Sequence, residues 1–375
     1  FDEEFFDYLR DFHFTGSIYS VKEGTPVFPN EPLITVRAKF IEAQLIETLL
    51  LVTVNHQSLI ATKANRIVKE AKGRPVLEFG ARRAQGYDSA TYGARAAYIG
   101  GVTGTATVSA GMMFNIPVVG TMAHSFVQSF DSEYEAFKAY ALTYPDDCVL
   151  LVDTYDTLKS GVPNAIRIAQ EILAPLGKKL KGIRLDSGDL SYLSKKAKQM
   201  LEDAGFEDAV ISASSDLDEY LIASLKLQGA KIGLWGVGTK LITSDDCPAF
   251  GGVYKLAAES DENGNFIPKI KLDDTAFRIE IWKILQQIPY ASTLTYGDIA
   301  KIIATKRGIE NMSAQAVGGA VGHNPISIII PCHRLLGNNG SLTGYAGGID
   351  KKIALLELEG VDTSKFIIPK KGTAL

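Results

Sequence analysis

Six short apolar runs, each ending in small or charged residues, recur through the first two thirds of the chain and constrain its fold more than any other feature. PVLEFGARR, IPVVGTMAHS, CVLLVDTYDT, KGIRLDSGD, AVISASSD and AKIGLWGVGTK each read as a buried strand opening into a loop. Between them, SEYEAFKAYALTY, LSYLSKKAKQMLEDAG and DEYLIASLKLQG carry apolar residues at helical spacing. Strands alternating with helices predict a parallel sheet, because each return to a parallel neighbour needs a crossover about as long as a helix. So many consecutive units predict barrel-like closure, with functional side chains gathered at the C-terminal strand ends.

The rhythm stops at ESDENGNFIPKIKLDDT, a Gly/Asn/Pro-rich charged stretch that suits a hairpin or linker. A boundary near Leu272 divides the chain into residues 1–271 and 272–375. Beyond it AFRIEIWKILQQI and YGDIAKIIA read as helices, SAQAVGGAVG as a small-residue helix, and ISIIIPCHR as a rigid apolar strand running into a turn. The fold class is therefore α/β: an incomplete (β/α) barrel-like segment, then a small, mainly α, helix–turn–helix domain of winged-helix character.

A composition of 46% hydrophobic and 22% charged residues excludes disorder. Apolar stretches are short and broken by charges, so no membrane span and no membrane partner are expected. The opening FDEEFFDYLR reads as neither a signal nor a transit peptide, and a start on Phe rather than Met leaves room for a fragment or a processed chain. Three cysteines without a CxxC pair, among five histidines, predict no disulfide framework, no zinc knuckle and no resident metal, and fit a cytoplasmic setting. The odd count leaves one reactive thiol. The net charge of −4 divides into +2 from Asp273 onward and −6 before it, which permits nucleic-acid contact by the tail.

In the front segment, GVGTK presents the backbone of Gly236 and Gly238 and the Thr239 hydroxyl to a phosphate, although most Gly-rich turns are only turns. RLDSGDL sets Asp186 and Asp189 on one loop, suited to ribose hydroxyls or a magnesium–diphosphate unit. Arg82 and Arg83 can fork onto a carboxylate or phosphate. Each pair reads equally well as a solvated rim. His124 follows an apolar run among small hydroxyl residues, which suits a phosphoryl-accepting imidazole; a lone histidine is more often a satisfied core residue.

FGARRAQG, GTMAHSF, LLVDTYDTLKSGVPNAI, IRLDSGDL and GVGTKL, in that order, closely resemble nicotinate phosphoribosyltransferase over residues 1 to about 271. The resemblance implies formation of nicotinate mononucleotide from nicotinate and phosphoribosyl pyrophosphate, with Mg and coupled ATP hydrolysis. It implies that His124 is phosphorylated, that Thr121 and Arg184 bind nicotinate, and that Gly236, Gly238 and Thr239 hold the phosphoribosyl phosphate. Asp186 and Asp189 would lie near the ribose. A homodimer through this segment is also implied. The family's N- and C-terminal parts are expected to be missing, which would leave sheet edges open.

In the tail, Cys332 lies just past a Pro and beside His333, with Glu359 a candidate carboxylate behind the imidazole. An imidazole so backed lends a thiol nucleophilic character, whereas an isolated CH dipeptide more often marks a buried structural cysteine. IPYASTLTYGDIA, AVGGAVGHNP, NPISIIIPCHR and GSLTGYAGG…LLELEG together closely resemble the O6-alkylguanine-DNA alkyltransferases from about Phe277 to Val361. The resemblance implies double-stranded DNA containing alkylated guanine as partner, no cofactor, and a single irreversible transfer to Cys332. His333, relayed by water and backed by Glu359, would deprotonate the thiol. Asn324 would brace its turn, Tyr296 would give a proton to the departing guanine, and Tyr345 would wall the base pocket. Gln315 stands where many members carry an Arg that fills the gap left by the extruded base, and with Arg334 would meet DNA. The bare face of SAQAVGGAVG suits close approach to a minor groove or, equally, tight packing on a neighbouring helix.

Three readings remain open: a bifunctional chain, one active half beside a truncated scaffold, or a join without biological meaning. DNA binding without transfer is a fourth.

Overall fold

The computed structural model describes residues 2–29, 31–262, 264, 266–269 and 275–368; Leu272, the expected boundary, lies outside the described residues. The chain divides into two compact units, Phe1–Pro26 with Leu33–Val253, and Val27–Pro32 with Tyr254–Leu375.

In the first unit, β1 (Ser17–Ser20) and β2 (Ile34–Arg37) form an antiparallel pair. Six further strands follow: β3 (Val76–Glu78), β4 (Gly104–Thr105), β5 (Val149–Leu151), β6 (Gly182–Leu185), β7 (Val210–Ala213) and β8 (Leu234–Val237). They make one parallel sheet in the order β4-β3-β8-β7-β6-β5. This is the cyclic order of a barrel opened at one seam, since among the described residues every consecutive pair is joined except β4 with β5. The curled half-barrel agrees with the expected class. Five of the six apolar runs became strands because both faces are covered: Leu150, Ile183, Leu185, Trp235 and Val237 are all fully buried. The sixth run, IPVVGTMAHS, contributes only the bridge of Val118 to Thr105 on the outer side of β4.

Helices Glu133–Thr143, Leu190–Asp203 and Glu219–Leu227 form where the spacing placed them. One long helix, Glu47–Ala71, was not anticipated. With the preceding Phe40–Leu45 it makes a helical stretch long and apolar enough to cross a membrane by length and composition, which corrects the reading that no such stretch exists. Its C-terminal half nevertheless serves the fold. Lys63, 1% exposed, pairs with Glu219 at 2.9 Å and Asp246 at 3.0 Å, and Ala64 lies where a side chain on Gly100 would meet its Cβ at 2.6 Å.

The second unit opens with the antiparallel hairpin of Ala258–Ser260 and Phe266–Pro268. Helices Ala276–Leu285, Tyr296–Arg307, Ala314–Gly322 and Ile349–Leu358 follow. Leu294–Thr295 pairs in parallel with Leu335–Leu336, and Ile281, Trp282, Ile299, Ile303, Val317 and Leu335 are buried together. The small-residue helix is packed on one side and bare on the other. Trp282 Nε1 reaches Ala320 O at 3.0 Å on the packed side, while Gly319 and Gly322 have nothing within 4 Å of where a Cβ would stand.

ISIIIPCHR is not a strand. Ile326–Ile330 forms a tight turn closed by a Ser327–Ile330 bridge, with Ile328 at φ 75° and Cys332–Arg334 in one turn of 3-10 helix. The apolar run holds no ladder partner because Asn324 takes over the pairing, donating from Nδ2 to Ile330 O at 2.9 Å and accepting from Ile326 N at 3.1 Å.

Candidate active sites

The front site sits at the C-terminal ends of β3, β6 and β8 and in the loops beyond them. Arg184, the third residue of β6, makes one bond there from each of its three nitrogens: Nε donates to Ser214 Oγ at 2.7 Å, Nη1 to Thr121 Oγ1 at 2.8 Å and Nη2 to Asp186 Oδ1 at 2.7 Å. Its plane lies 5.5 Å from the ring of Phe79. His124 Nδ1 is 3.1 Å from Thr154 Oγ1, and Nε2 is 3.6 Å from Asp186 Oδ2. Burial pushes the Asp186 carboxyl up, but the Ser214 hydroxyl, Arg184 and His124 together hold it below its ordinary value. Thr121, His124, Arg184 and Asp186 are therefore assembled as one network.

Asp189 caps helix Leu190–Asp203, its Oδ1 accepting Tyr192 N at 3.0 Å. Gly236 and Gly80 are needed for close approach, since a Cβ on Gly236 would strike the Phe79 ring at 2.7 Å and one on Gly80 would strike Gly238 O at 2.7 Å, whereas one on Gly238 would meet Phe79 O at an ordinary 3.4 Å. Thr239 begins the short helix Thr239–Ile242 after this turn. Arg82 and Arg83 project from the turn Ala81–Arg83, exposed and without an ion-pair partner among the described residues.

In the second unit, Asn324 Nδ2 donates to Cys332 Sγ at 3.0 Å. His333 is buried, and its Nε2 meets Glu359 Oε1 at 2.8 Å while its buried Nδ1 has no partner. Arg334, expected at DNA, is instead committed inward: Nε and Nη2 reach the Glu359 carboxylate at 2.8 Å, and Nη1 donates to Ile288 O at 2.6 Å. Burial opposes the Glu359 charge, yet Arg334 and His333 hold that carboxyl at about 2.

The Cys332 residue is 5% exposed, and burial pushes its thiol up despite the Asn324 hydrogen bond and a nearby Lys352 charge. The resting group is thus a thiol rather than a thiolate. Tyr296, pushed up to about 12 by burial and by Cys332, donates to Gly344 O at 3.1 Å. Tyr345 stands edge-on to His333, with ring centroids 6.5 Å apart. Gln315 is exposed on the first turn of helix Ala314–Gly322. Cys332, His333, Glu359, Asn324, Tyr296 and Tyr345 thus lie in one neighbourhood, with Gln315 on the open helix.

Comparison with known proteins assigns both halves. Family models match at residues 1–55 (nicotinate phosphoribosyltransferase N-terminal domain), 75–245 (nicotinate phosphoribosyltransferase family) and 276–361 (6-O-methylguanine DNA methyltransferase, DNA binding domain). The chain joins a segment similar to nicotinate phosphoribosyltransferases to one similar to the DNA-binding domain of 6-O-methylguanine DNA methyltransferase.

A nicotinate phosphoribosyltransferase of Bacillus subtilis is 55% identical over 74% of this chain and 57% of its own length. The human nicotinic acid phosphoribosyltransferase structure is 31% identical, covers 64% of this chain and 58% of that one, and superposes with a TM-score of 0.60. A structure of Mycobacterium tuberculosis OGT in complex with DNA is 48% identical over 27% of this chain and 58% of that one, with a TM-score of 0.22. The chain spans a little over half the length of the phosphoribosyltransferase relatives it matches, 57% and 55% for the first two.

Four residues of these sites escaped the sequence reading. Asp153 accepts from Asp186 N and Ser187 Oγ at 2.7 Å each, leaving Oδ1 buried and unpaired. It is the first charged residue after an apolar run, the same signal that marked Asp186. Phe79 and Ser214 also stand just past strand ends, but neither is charged, so that signal passes over them. Lys352 escapes it too: in IDKKIALLEL it reads as a solvated helix face, yet it is fully buried and donates to Thr343 O at 2.6 Å. Burial brings it down to about 8, against the pull of Cys332.

Proposed function

We propose that the second unit repairs alkylated DNA by taking an alkyl group from the O6 of guanine onto Cys332. The observation that carries this reading is the turn in which Asn324 holds the sulfur at 3.0 Å while His333, the next residue along, is anchored on Glu359 at 2.8 Å. An O6 substituent lies inside the duplex, so the nucleotide must be rotated out to reach a nearly buried thiol. Cys332 Sγ attacks the alkyl carbon, a C–S bond forms as the C–O bond breaks, and the guanine O6 leaves with the electron pair. The thiol proton passes toward His333, whose imidazolium is stabilised by a Glu359 carboxylate that stays ionised throughout the neutral range. Tyr296, kept protonated by its raised pKa, supplies a proton to the departing base. The thioether is not converted back to the thiol, so one chain acts once. Incubation with a duplex carrying O6-methylguanine should add one methyl group to the intact mass, and Cys332→Ser should add none. Duplex affinity without any mass gain would instead make the unit a DNA-binding module.

We also propose that the first unit forms nicotinate mononucleotide from nicotinate and phosphoribosyl pyrophosphate. The observation favouring it is the Arg184 network, which holds a fixed cation against the Thr121 hydroxyl and beside the Phe79 ring. The nicotinate carboxylate would pair with Arg184, the 5′-phosphate would sit on the Gly236–Thr239 turn, and fixed charges would stabilise the ribose carbon as pyrophosphate leaves. His124 would accept a phosphoryl group from ATP. Magnesium would arrive on the diphosphate and meet one or two carboxylates. Asp153, with its unpaired Oδ1, and Asp186 would receive it, and the ion would neutralise charge on the leaving pyrophosphate. A homodimer through this unit would cover Phe40, Leu49 and Val52, exposed at 63, 67 and 62%. The assay is release of pyrophosphate dependent on both substrates. Loss of ATP stimulation alone in His124→Ala supports the phosphoryl role, and no turnover leaves the unit a scaffold.

A further inference from the structure

We infer that Glu78, a fully buried carboxylate at the end of β3, is a positioning residue that sets the Phe79 and Gly238 loops of the front site. The inference rests on the phosphoribosyl reading of that site and adds a residue that reading does not use.

Glu78 Oε2 accepts Thr105 Oγ1 at 2.6 Å and Thr107 Oγ1 at 3.2 Å, and Oε1 accepts the amide of Gly80. Thr105 Oγ1 in turn accepts Thr107 N at 2.9 Å. Both threonines are buried, so one carboxylate ties the loop leaving β3 to the loop leaving β4 with no water competing. A third loop, the one leaving β8, is fixed through Phe79 and Gly80. Phe79 N donates to Val237 O at 2.8 Å, the Phe79 ring fills the space that Gly236 leaves bare, and Gly80 lies against Gly238 O. Phe79 also carries the Arg184 guanidinium over its ring.

An apolar residue would fill this strand end without the desolvation penalty that a buried carboxylate incurs, a penalty visible in a Glu78 pKa raised by burial. What the carboxylate adds is geometry, because its acceptors point at three separate donors and none of these is needed for the sheet ladder. Misplacing a binding group by about an ångström costs on the order of 100-fold in rate, so fixing Phe79 and Gly80 bears directly on the Arg184 and Gly238 sites. Glu78 itself touches no substrate in this arrangement.

The test uses the full chain with Glu78→Gln, Glu78→Ala and Thr107→Val. Amide exchange followed by mass spectrometry should speed up in peptides covering 79–86 and 236–243 for Glu78→Ala, with helix 190–203 unchanged. Glu78→Gln, which keeps one acceptor and the shape, should restore most of the protection, and Thr107→Val should fall between them. In the pyrophosphate assay the KM for nicotinate should rise about tenfold in Glu78→Ala while kcat falls by less. Uniformly faster exchange, or a lower melting temperature with unchanged KM, overturns the inference by making Glu78 a stability residue only. If the wild type shows no turnover, the phosphoribosyl reading falls, and the exchange pattern still decides whether Glu78 sets these two loops.

Discussion

Asn324 donates one amide proton to the sulfur of Cys332 and the other to the carbonyl of Ile330, at 3.0 and 2.9 Å. One side chain thus fixes the turn and offers the sulfur a donor, which favours the thiolate as it forms. Asn324→Ala should therefore slow methyl transfer by about 10- to 100-fold while leaving duplex affinity within a few fold. Single-turnover mass measurements beside a binding titration check this. A loss of affinity equal to the loss in rate would mean that Asn324 supports the DNA surface instead.

Lys352 should weigh stability against reactivity. Its folded pKa of about 8 lies below the ordinary 10.5, so the unfolded chain binds more protons between those values, and stability from this group rises with pH across that window. At neutral pH the buried ammonium is a penalty, and Lys352→Met should make the second unit more stable by about 1–2 kcal/mol. The same change removes the cation that draws the Cys332 thiol down, so alkylation by iodoacetamide should shift to higher pH. A variant that is less stable, with unchanged thiol reactivity, would show that Lys352 acts only through its bond to Thr343.

The Glu359 carboxylate should contribute stability over a defined acid range. Its folded pKa of about 2 lies below the ordinary 4.5, so the contribution is complete above the higher value and is lost as pH falls toward the lower one. Glu359→Gln should cost about 3 kcal/mol at pH 7, because Arg334 then loses a buried partner, and the gap to wild type should close toward pH 2. Trp282 is the only tryptophan of the second unit, so Trp235→Phe isolates its unfolding signal. A gap independent of pH would mean that the Glu359 charge is not what holds this corner.

The Asp189 carboxylate separates capping from ribose binding. As the cap of helix Leu190–Asp203, its loss in Asp189→Ala should cost about 1 kcal/mol, with KM for phosphoribosyl pyrophosphate unchanged. Asp189→Ser should recover the stability. A raised KM in a variant of normal stability would return Asp189 to the ribose.

Several strand ends were legible because burial on both faces writes strands such as β5 as apolar runs, and the first carboxylate afterwards falls at the open end. That rule located Asp186, and it points equally to Asp153 when every run is read to its end. It failed at ISIIIPCHR, where the same apolar signature belongs to a turn, since Asn324 supplies by side chain the partners that a ladder would give. It also failed at IPVVGTMAHS, whose run lies at the seam where the sheet has no further neighbour. Lys352 and Arg334 lay beyond any local rule: a lysine in a charged helix start and an arginine beside a catalytic motif both read as surface, and only the packing turns them inward.

Gln315 offers the cleanest control on DNA recognition, because it is exposed on the helix whose outer glycines are bare and takes no part in the Cys332 network. A guanidinium there would bring charge and a flat stacking face toward the gap left by an extruded base. Gln315→Arg should tighten duplex binding by about tenfold at low salt and steepen the salt dependence by roughly one phosphate's worth of slope. The chemical step, read as methyl transfer at saturating DNA, should stay within about twofold, since the change does not alter Cys332, Asn324 or His333. Filter binding across a salt series, run beside single-turnover mass measurements, separates the two effects. Unchanged affinity would mean that this helix face does not meet the duplex.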